Sequence, residues 1–85
     1  MLKPWFVYIV RCADNTLYTG ISDNLATRIN KHNAGKGAKY TKGRSPVTLI
    51  YQEKCADRST ASQREAAIKK LTKSAKLKLL SSLGT

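Results

Sequence analysis

The chain reads as a domain of the mixed α/β (α+β) class: a small, mainly antiparallel sheet with helices packed on it, in the order β-β-α-β-α-α. Three observations predict this. Two aromatic and β-branched runs, Trp5–Val10 and Leu17–Ile21, flank a short polar turn and so form a hairpin. Two helical patterns with capping residues follow, at Leu25–Asn33 and from Ser59 or Ser62 onward. An extended segment behind Pro46 lies between them. The 85 residues make one domain, 1–85, without an internal repeat or linker.

Each element has its local cause. Ala13-Asp14-Asn15-Thr16 is turn-forming, and its length decides which residues share a face. A two-residue loop would pair Val10 with Thr19 and separate Tyr8 from Tyr18. A three-residue loop, Ala13-Asp14-Asn15, pairs Val10 with Tyr18 and Tyr8 with Gly20, so that both rings lie on one face as diagonal neighbours. Asn15 tolerates the left-handed conformation that this loop needs, which favours it. Ser22, Asp23 and Asn24 offer caps for the helix Leu25–Asn33. Asn33–Arg44 is rich in Gly and Lys and reads as largely loop. Pro46 opens a third strand, Val47–Glu53. Ser59 or Ser62 caps a helix to about Leu71, with Ser62 and Glu65 at capping-box spacing. A last helix runs from about Ser74 to Leu83 and ends at Gly84.

The charge points to a partner. Sixteen Lys and Arg against five Asp and Glu give +11. Self-repulsion of that size opposes folding, and a polyanion relieves it; nucleic acid is the first choice, ahead of an anionic membrane surface or a bare solubility effect. Cys12 and Cys55 lack a CxxC partner and zinc-ligand spacing, and read as reduced core thiols. The run Trp5–Val10 is too short for a signal peptide or a membrane span, so a cytoplasmic protein is expected.

Several residues invite chemistry. Tyr8 and Tyr18 are either a facing pair or two ordinary strand aromatics. Arg28 and His32 stand at i, i+4 beside the Leu25/Ile29 stripe, at the edge of a core. Arg suits bidentate phosphate contact. An exposed Arg and a structural His are the plainer reading. Glu65 falls between Ala61, Ile68 and Thr72 on the less polar helix face, where a carboxylate is costly unless paired or bound to a cation. Of the other acids, Asp14 and Asp23 look like turn and cap residues, Glu53 ends a strand and Asp57 precedes a helix. That excludes a site of several carboxylates but leaves one Mg²⁺, held by a carboxylate, waters and substrate phosphate. A capping-box or salt-bridged Glu65 is the alternative. The segment Gly35–Arg44 combines flexible backbone with Lys36, Lys39, Lys42, Arg44 and one aromatic, Tyr40, and suits phosphate-backbone contact. It lacks the Ser/Thr and the preceding strand of a Walker loop. Lys69, Lys70, Lys73, Lys76 and Lys78 add a second basic surface or a solvated helix face.

Taken together, these residues resemble the GIY-YIG endonuclease superfamily, and within it the small single-domain bacterial UPF0213-like group. Phe6-Val7-Tyr8 and Tyr18-Thr19-Gly20 correspond to its two triplets, and Arg28, His32, Tyr40 and Glu65 follow in order over nearly the whole chain. The resemblance implies a three-stranded antiparallel sheet flanked by helices. It implies phosphodiester hydrolysis with one divalent metal, Mg²⁺ or Mn²⁺, ligated by Glu65. Tyr8 or Tyr18 would deprotonate the attacking water, Arg28 would stabilise the pentavalent phosphate, and His32 and Tyr40 would orient groups or relay protons. A tyrosine near its ordinary pKa of about 10 needs an adjacent cation for that task. Phe6-Val7 replaces Gly-Ile, Thr19 replaces Ile, and Ser22 stands where the excision-repair relatives carry Lys. No Asn follows Asn33, although some relatives place one in the site. Larger relatives draw specificity from appended domains. The expectation is therefore an endonuclease of weak, structure-selective or partner-dependent activity, with DNA ahead of RNA as substrate and a larger repair or nucleic-acid-processing protein as partner. The competing classes are a non-catalytic nucleic-acid-binding module on the same scaffold and a basic interaction protein with no nucleic-acid role.

Overall fold

A computed structural model of the protein describes residues 4–37 and 39–83. The order is β1 (Trp5–Arg11), β2 (Leu17–Ser22), α1 (Leu25–Asn33), β3 (Thr48–Cys55), α2 (Arg58–Lys69) and α3 (Lys73–Leu83), with a short 3-10 turn at Lys39–Thr41. The helix stop expected at Gly84 lies outside the described residues.

The sheet is three-stranded and antiparallel, in the order β2-β1-β3. The hairpin takes the three-residue loop. Asn15 adopts φ 68°, and the ladder pairs Val10 with Tyr18 and Tyr8 with Gly20. Cys12 and Thr16 close it, the Cys12 N–H donating to the Thr16 carbonyl at 2.8 Å. A bulge in β3 sets Ile9 opposite Tyr51 and Val10 opposite Leu49, so Ile50 has no partner in the ladder.

Strand alternation sends two sets of side chains to opposite faces. Val7 and Ile9 pack with Tyr51, Cys55 and the α2 residues Ala61 and Ile68. Tyr8, Val10, Cys12 and Val47 form a second core, covered by Tyr18, Leu49 and the α1 residues Leu25 and Ile29. The two cysteines are free and buried, one in each core, which puts the sheet between them.

Three boundaries differ from the sequence reading. The third strand starts at Thr48 and continues through Lys54 and Cys55, because these pair with Phe6 and Trp5 of β1. Neither Ser59 nor Ser62 caps α2. The cap is Asp57, whose Oδ1 accepts from the Thr60 N–H at 2.8 Å, and a carboxylate also complements the positive helix end. Ser62 thus lies inside the helix and forms no capping box with Glu65. Helix α2 ends at Lys69, and Thr72 caps α3 instead, its Oγ1 accepting from the Ala75 N–H at 3.1 Å.

Candidate active site

Helix α1 begins at Asn24, whose side chain accepts from the Thr27 N–H at 3.2 Å. That start points Arg28 and His32 at the sheet face carrying Tyr8 and Tyr18. The hydroxyl of Tyr8 is the meeting point. It lies 2.8 Å from His32 Nε2, and Arg28 Nε–H donates to it at 3.4 Å. On the far side of the imidazole, Nδ1 lies 2.7 Å from Thr41 Oγ1. One assignment satisfies every group: Arg28 donates to Tyr8, Tyr8 donates to Nε2, and Nδ1–H donates to Thr41.

The electrostatics agree with that assignment. Tyr8 and His32 are both fully buried. Burial raises the Tyr8 pKa above its ordinary value; the Arg28 hydrogen bond opposes this, while Tyr18 and Glu65 push it further up. Burial, then the Arg28 charge, lowers the His32 pKa, which keeps Nε2 an acceptor. Arg28 is held more firmly charged, first by its hydrogen bond to Tyr8. Hence the resting centre is a neutral tyrosine and a neutral histidine beside a permanent cation.

Tyr18 is half-buried, unlike Tyr8. Its ring centroid lies 6.4 Å from Tyr8, 5.3 Å from His32 and 5.7 Å from Tyr40, the last a stacked pair at 28°. Tyr40 remains 42% exposed and carries the Arg44 guanidinium over its ring, 4.5 Å from the centroid. Two tyrosines, an arginine and a histidine from β1, β2 and α1 therefore share one spot at the β2 edge of the sheet, with Tyr40 as its wall.

Residues 4–78 match the GIY-YIG catalytic domain. The chain belongs to the GIY-YIG family. Membership points to a nuclease-type function with a nucleic-acid substrate, and nucleases of the family are generally dependent on a divalent metal. The chain is 60% identical over 77 residues to a UPF0213 protein of Desulfotalea psychrophila, covering 89% of this chain and 70% of that protein. It is 55% identical over 75 residues to one of Staphylococcus haemolyticus, covering 88% and 92% respectively. The fold is similar to the solution NMR structure of an E. faecalis protein, with a TM-score of 0.65 at 37% identity over 99% of this chain and 91% of that one. It is also similar to that of a UPF0213 protein from Bacillus halodurans, with a TM-score of 0.59 at 38% identity over 92% and 83%.

The remaining candidates fall in several places. Glu65 lies on α2, which packs on the other core through Ala61 and Ile68, and it is the smallest of the influences on the Tyr8 pKa. It is not wholly inward: its side chain is 23% exposed and pairs with Lys69 at 3.3 Å. Lys36, Lys39 and Lys42 are exposed on the loop after α1. That loop is more ordered than its Gly and Lys content suggests, since Thr41 is buried against His32 and the 3-10 turn sits within it. Arg44 is tied to Asp14 at 2.6 Å, and Lys73 donates to the Asn15 carbonyl at 2.8 Å, so both have partners within the protein.

Thr41 and Gly37 escape the sequence reading, as does the steric role of Gly20. A Cβ at Gly37 would collide with the His32 ring and lie 2.9 Å from its Cα. A Cβ at Gly20 would lie 2.6 Å from the Tyr8 hydroxyl oxygen and 3.1 Å from the Tyr18 ring. The second triplet's glycine thus makes room for both tyrosines. Gly20→Ala is expected to destabilise the fold by about 1–3 kcal/mol, the usual cost of overpacking a filled core. Thermal denaturation measures it, and an unchanged melting temperature would show that the two rings can yield.

Proposed function

We propose that this GIY-YIG domain is a metal-assisted endonuclease that hydrolyses phosphodiester bonds, on DNA in preference to RNA, with weak or structure-selective activity of its own. One observation carries the proposal: Arg28, Tyr8, Tyr18 and His32 converge on a single spot, where Tyr8 and His32 are buried and Tyr18 and Arg28 are half-buried. A cation beside phenol oxygens suits the handling of a phosphodiester and a water.

The roles divide by exposure. Tyr8 is sealed off and its hydroxyl is occupied, which supports a positioning role for it. Tyr18 is accessible, which supports it as the base: as its phenolate it takes the proton of the attacking water, whose oxygen bonds to phosphorus while the leaving oxygen departs. Arg28 stabilises the phenolate and the charge growing on the phosphate. His32, locked between Tyr8 and Thr41, holds the phenol network rather than meeting substrate, and Tyr40 braces Tyr18.

The donor set fits one hard divalent ion. Among the described residues no group of three His, Cys, Asp or Glu is able to hold a metal, so Glu65 would be the protein's ligand, with waters and substrate phosphate completing the shell. Bound there, Mg²⁺ or Mn²⁺ would supply charge neutralisation and a lowered pKa for bound water. Lys69 competes for the same carboxylate. Lys69→Ala should therefore lower the metal concentration for half-maximal activity about twofold, the worth of an exposed i,i+4 pair. A rise in that concentration would remove Lys69 as a competitor.

The Glu65–Lys69 pair also favours a second reading, since it satisfies the carboxylate without metal, as a pure binding module would. End-labelled single-stranded, duplex, flapped and mismatched DNA, and RNA, incubated with the protein in Mg²⁺, Mn²⁺ or EDTA, separate the two. Cutting that needs metal supports the nuclease. Salt-sensitive binding with no cutting of any substrate supports the module. Exposed Lys36, Lys39 and Lys42 are the proposed backbone contacts; their joint replacement should flatten the slope of log affinity against log salt by roughly 0.7–0.9 for each phosphate no longer neutralised.

A further inference from the structure

Arg44 sits in a basic loop, yet its guanidinium has partners within the protein. Its Nη1 donates to Asp14 Oδ2 at 2.6 Å and to Thr16 Oγ1 at 3.4 Å. Its carbonyl accepts from the Ala13 N–H at 2.8 Å, and its own N–H donates to the Thr41 carbonyl at 3.0 Å. Asp14 in turn accepts from the backbone N–H of Thr16 at 3.1 Å, which fixes the carboxylate on the hairpin turn. The guanidinium ends over Tyr40, and Tyr40 stacks on Tyr18. An isolated ion pair this exposed, at 38% and 46%, would stabilise little. Here the pair belongs to a network joining the β1–β2 turn, the 3-10 turn and the Tyr18 ring.

We infer that Asp14 and Arg44 are positioning residues that clamp Tyr40 against Tyr18 and so set the direction of the Tyr18 hydroxyl, resting on the nuclease function proposed above. The chain of contacts is continuous: Asp14 holds the guanidinium, the guanidinium lies over Tyr40, and Tyr40 stacks on the Tyr18 ring, which lies beside His32. A lysine could keep the ion pair but not the flat cover. The clamp also gives an acidic residue a use in a domain that binds a polyanion.

Opposite charge effects make the inference testable. If Arg44 contacted phosphate, Arg44→Ala would weaken nucleic-acid binding and flatten its salt slope. If Asp14 acted only through its charge, Asp14→Asn would strengthen binding. The clamp predicts instead that both variants lower kcat about tenfold, the scale of a small misplacement of a reacting group, while affinity and salt slope stay near wild type. The double variant should lose no more than either single one, because the two residues act as a unit. Asp14→Asn keeps an oxygen for the Thr16 N–H, so the turn still forms. Arg44→Lys keeps the charge and should still lose kcat. Full kcat in Arg44→Lys, or a flattened salt slope in Arg44→Ala, would overturn the clamp. Proton NMR reads the geometry without catalysis: cross-peaks between the Tyr18 and Tyr40 rings should weaken in Asp14→Asn and Arg44→Ala. Their persistence in both overturns the clamp even if the nuclease assays succeed. Their loss, with wild-type protein that cuts nothing, keeps the clamp and rejects the nuclease.

Discussion

Glu65→Gln should abolish metal-dependent cleavage while leaving nucleic-acid binding at or slightly above wild type. Gln keeps the shape and the helix propensity of Glu but removes the charge that a hard cation requires. A metal supplies several kcal/mol of stabilisation to developing phosphate charge, so the rate should fall on the order of a thousandfold. Binding should not follow, because the substitution takes a negative charge away from a polyanion's site. Folding should hardly change either: the pair with Lys69 is half exposed, and such i,i+4 pairs stabilise by only about 0.3–0.5 kcal/mol. Cleavage measured beside gel-shift affinity and a thermal melt separates these effects. Wild-type turnover in Glu65→Gln would remove the metal assignment, and would point to a contaminating nuclease if EDTA still stopped it.

Much of the fold is legible in the sequence because its signals are local. The parity of the hairpin follows from one loop length and one residue, Asn15, that accepts positive φ. That parity alone puts Tyr8 and Tyr18 on one face, and i, i+4 spacing brings Arg28 and His32 toward it. Glu65 is legible as a carboxylate out of place on its helix, although its pairing with Lys69 shows it less buried than the helical wheel suggests. What stays hidden depends on contacts between segments distant in sequence. Nothing local marks Thr41 as the partner of a histidine nine residues away, or Asp14 as the anchor of an arginine thirty away. Composition assigns Arg44 to a phosphate and Gly37 to flexibility, whereas one is clamped and the other gives way to an imidazole. The start of α2 misleads for a related reason: the spacing of Ser62 and Glu65 imitates a cap that Asp57 already provides.

Arg28→Ala should lower kcat by about 10²–10³-fold, the usual cost of removing one preorganised charge from a transition state, with a much smaller change in affinity. The guanidinium is half-buried and already aligned by the Tyr8 hydroxyl, so it needs no reorganisation as phosphate charge grows. Interactions that strengthen only in the transition state appear in kcat, whereas those shared with the ground state appear in KM. Equal losses in kcat and affinity would make Arg28 a binding residue. Arg28→Lys retains a cation but not the Nε–H that Tyr8 accepts, and should recover part of the rate. A second readout does not depend on turnover. Burial and the Arg28 charge together hold the His32 pKa below its ordinary value. Removing the charge leaves burial alone, so the His32 resonances should titrate at higher pH in Arg28→Ala than in wild type. No upward movement would mean that the guanidinium and the imidazole do not share one electrostatic centre, and the convergence of α1 on the tyrosine pair would lose its catalytic meaning.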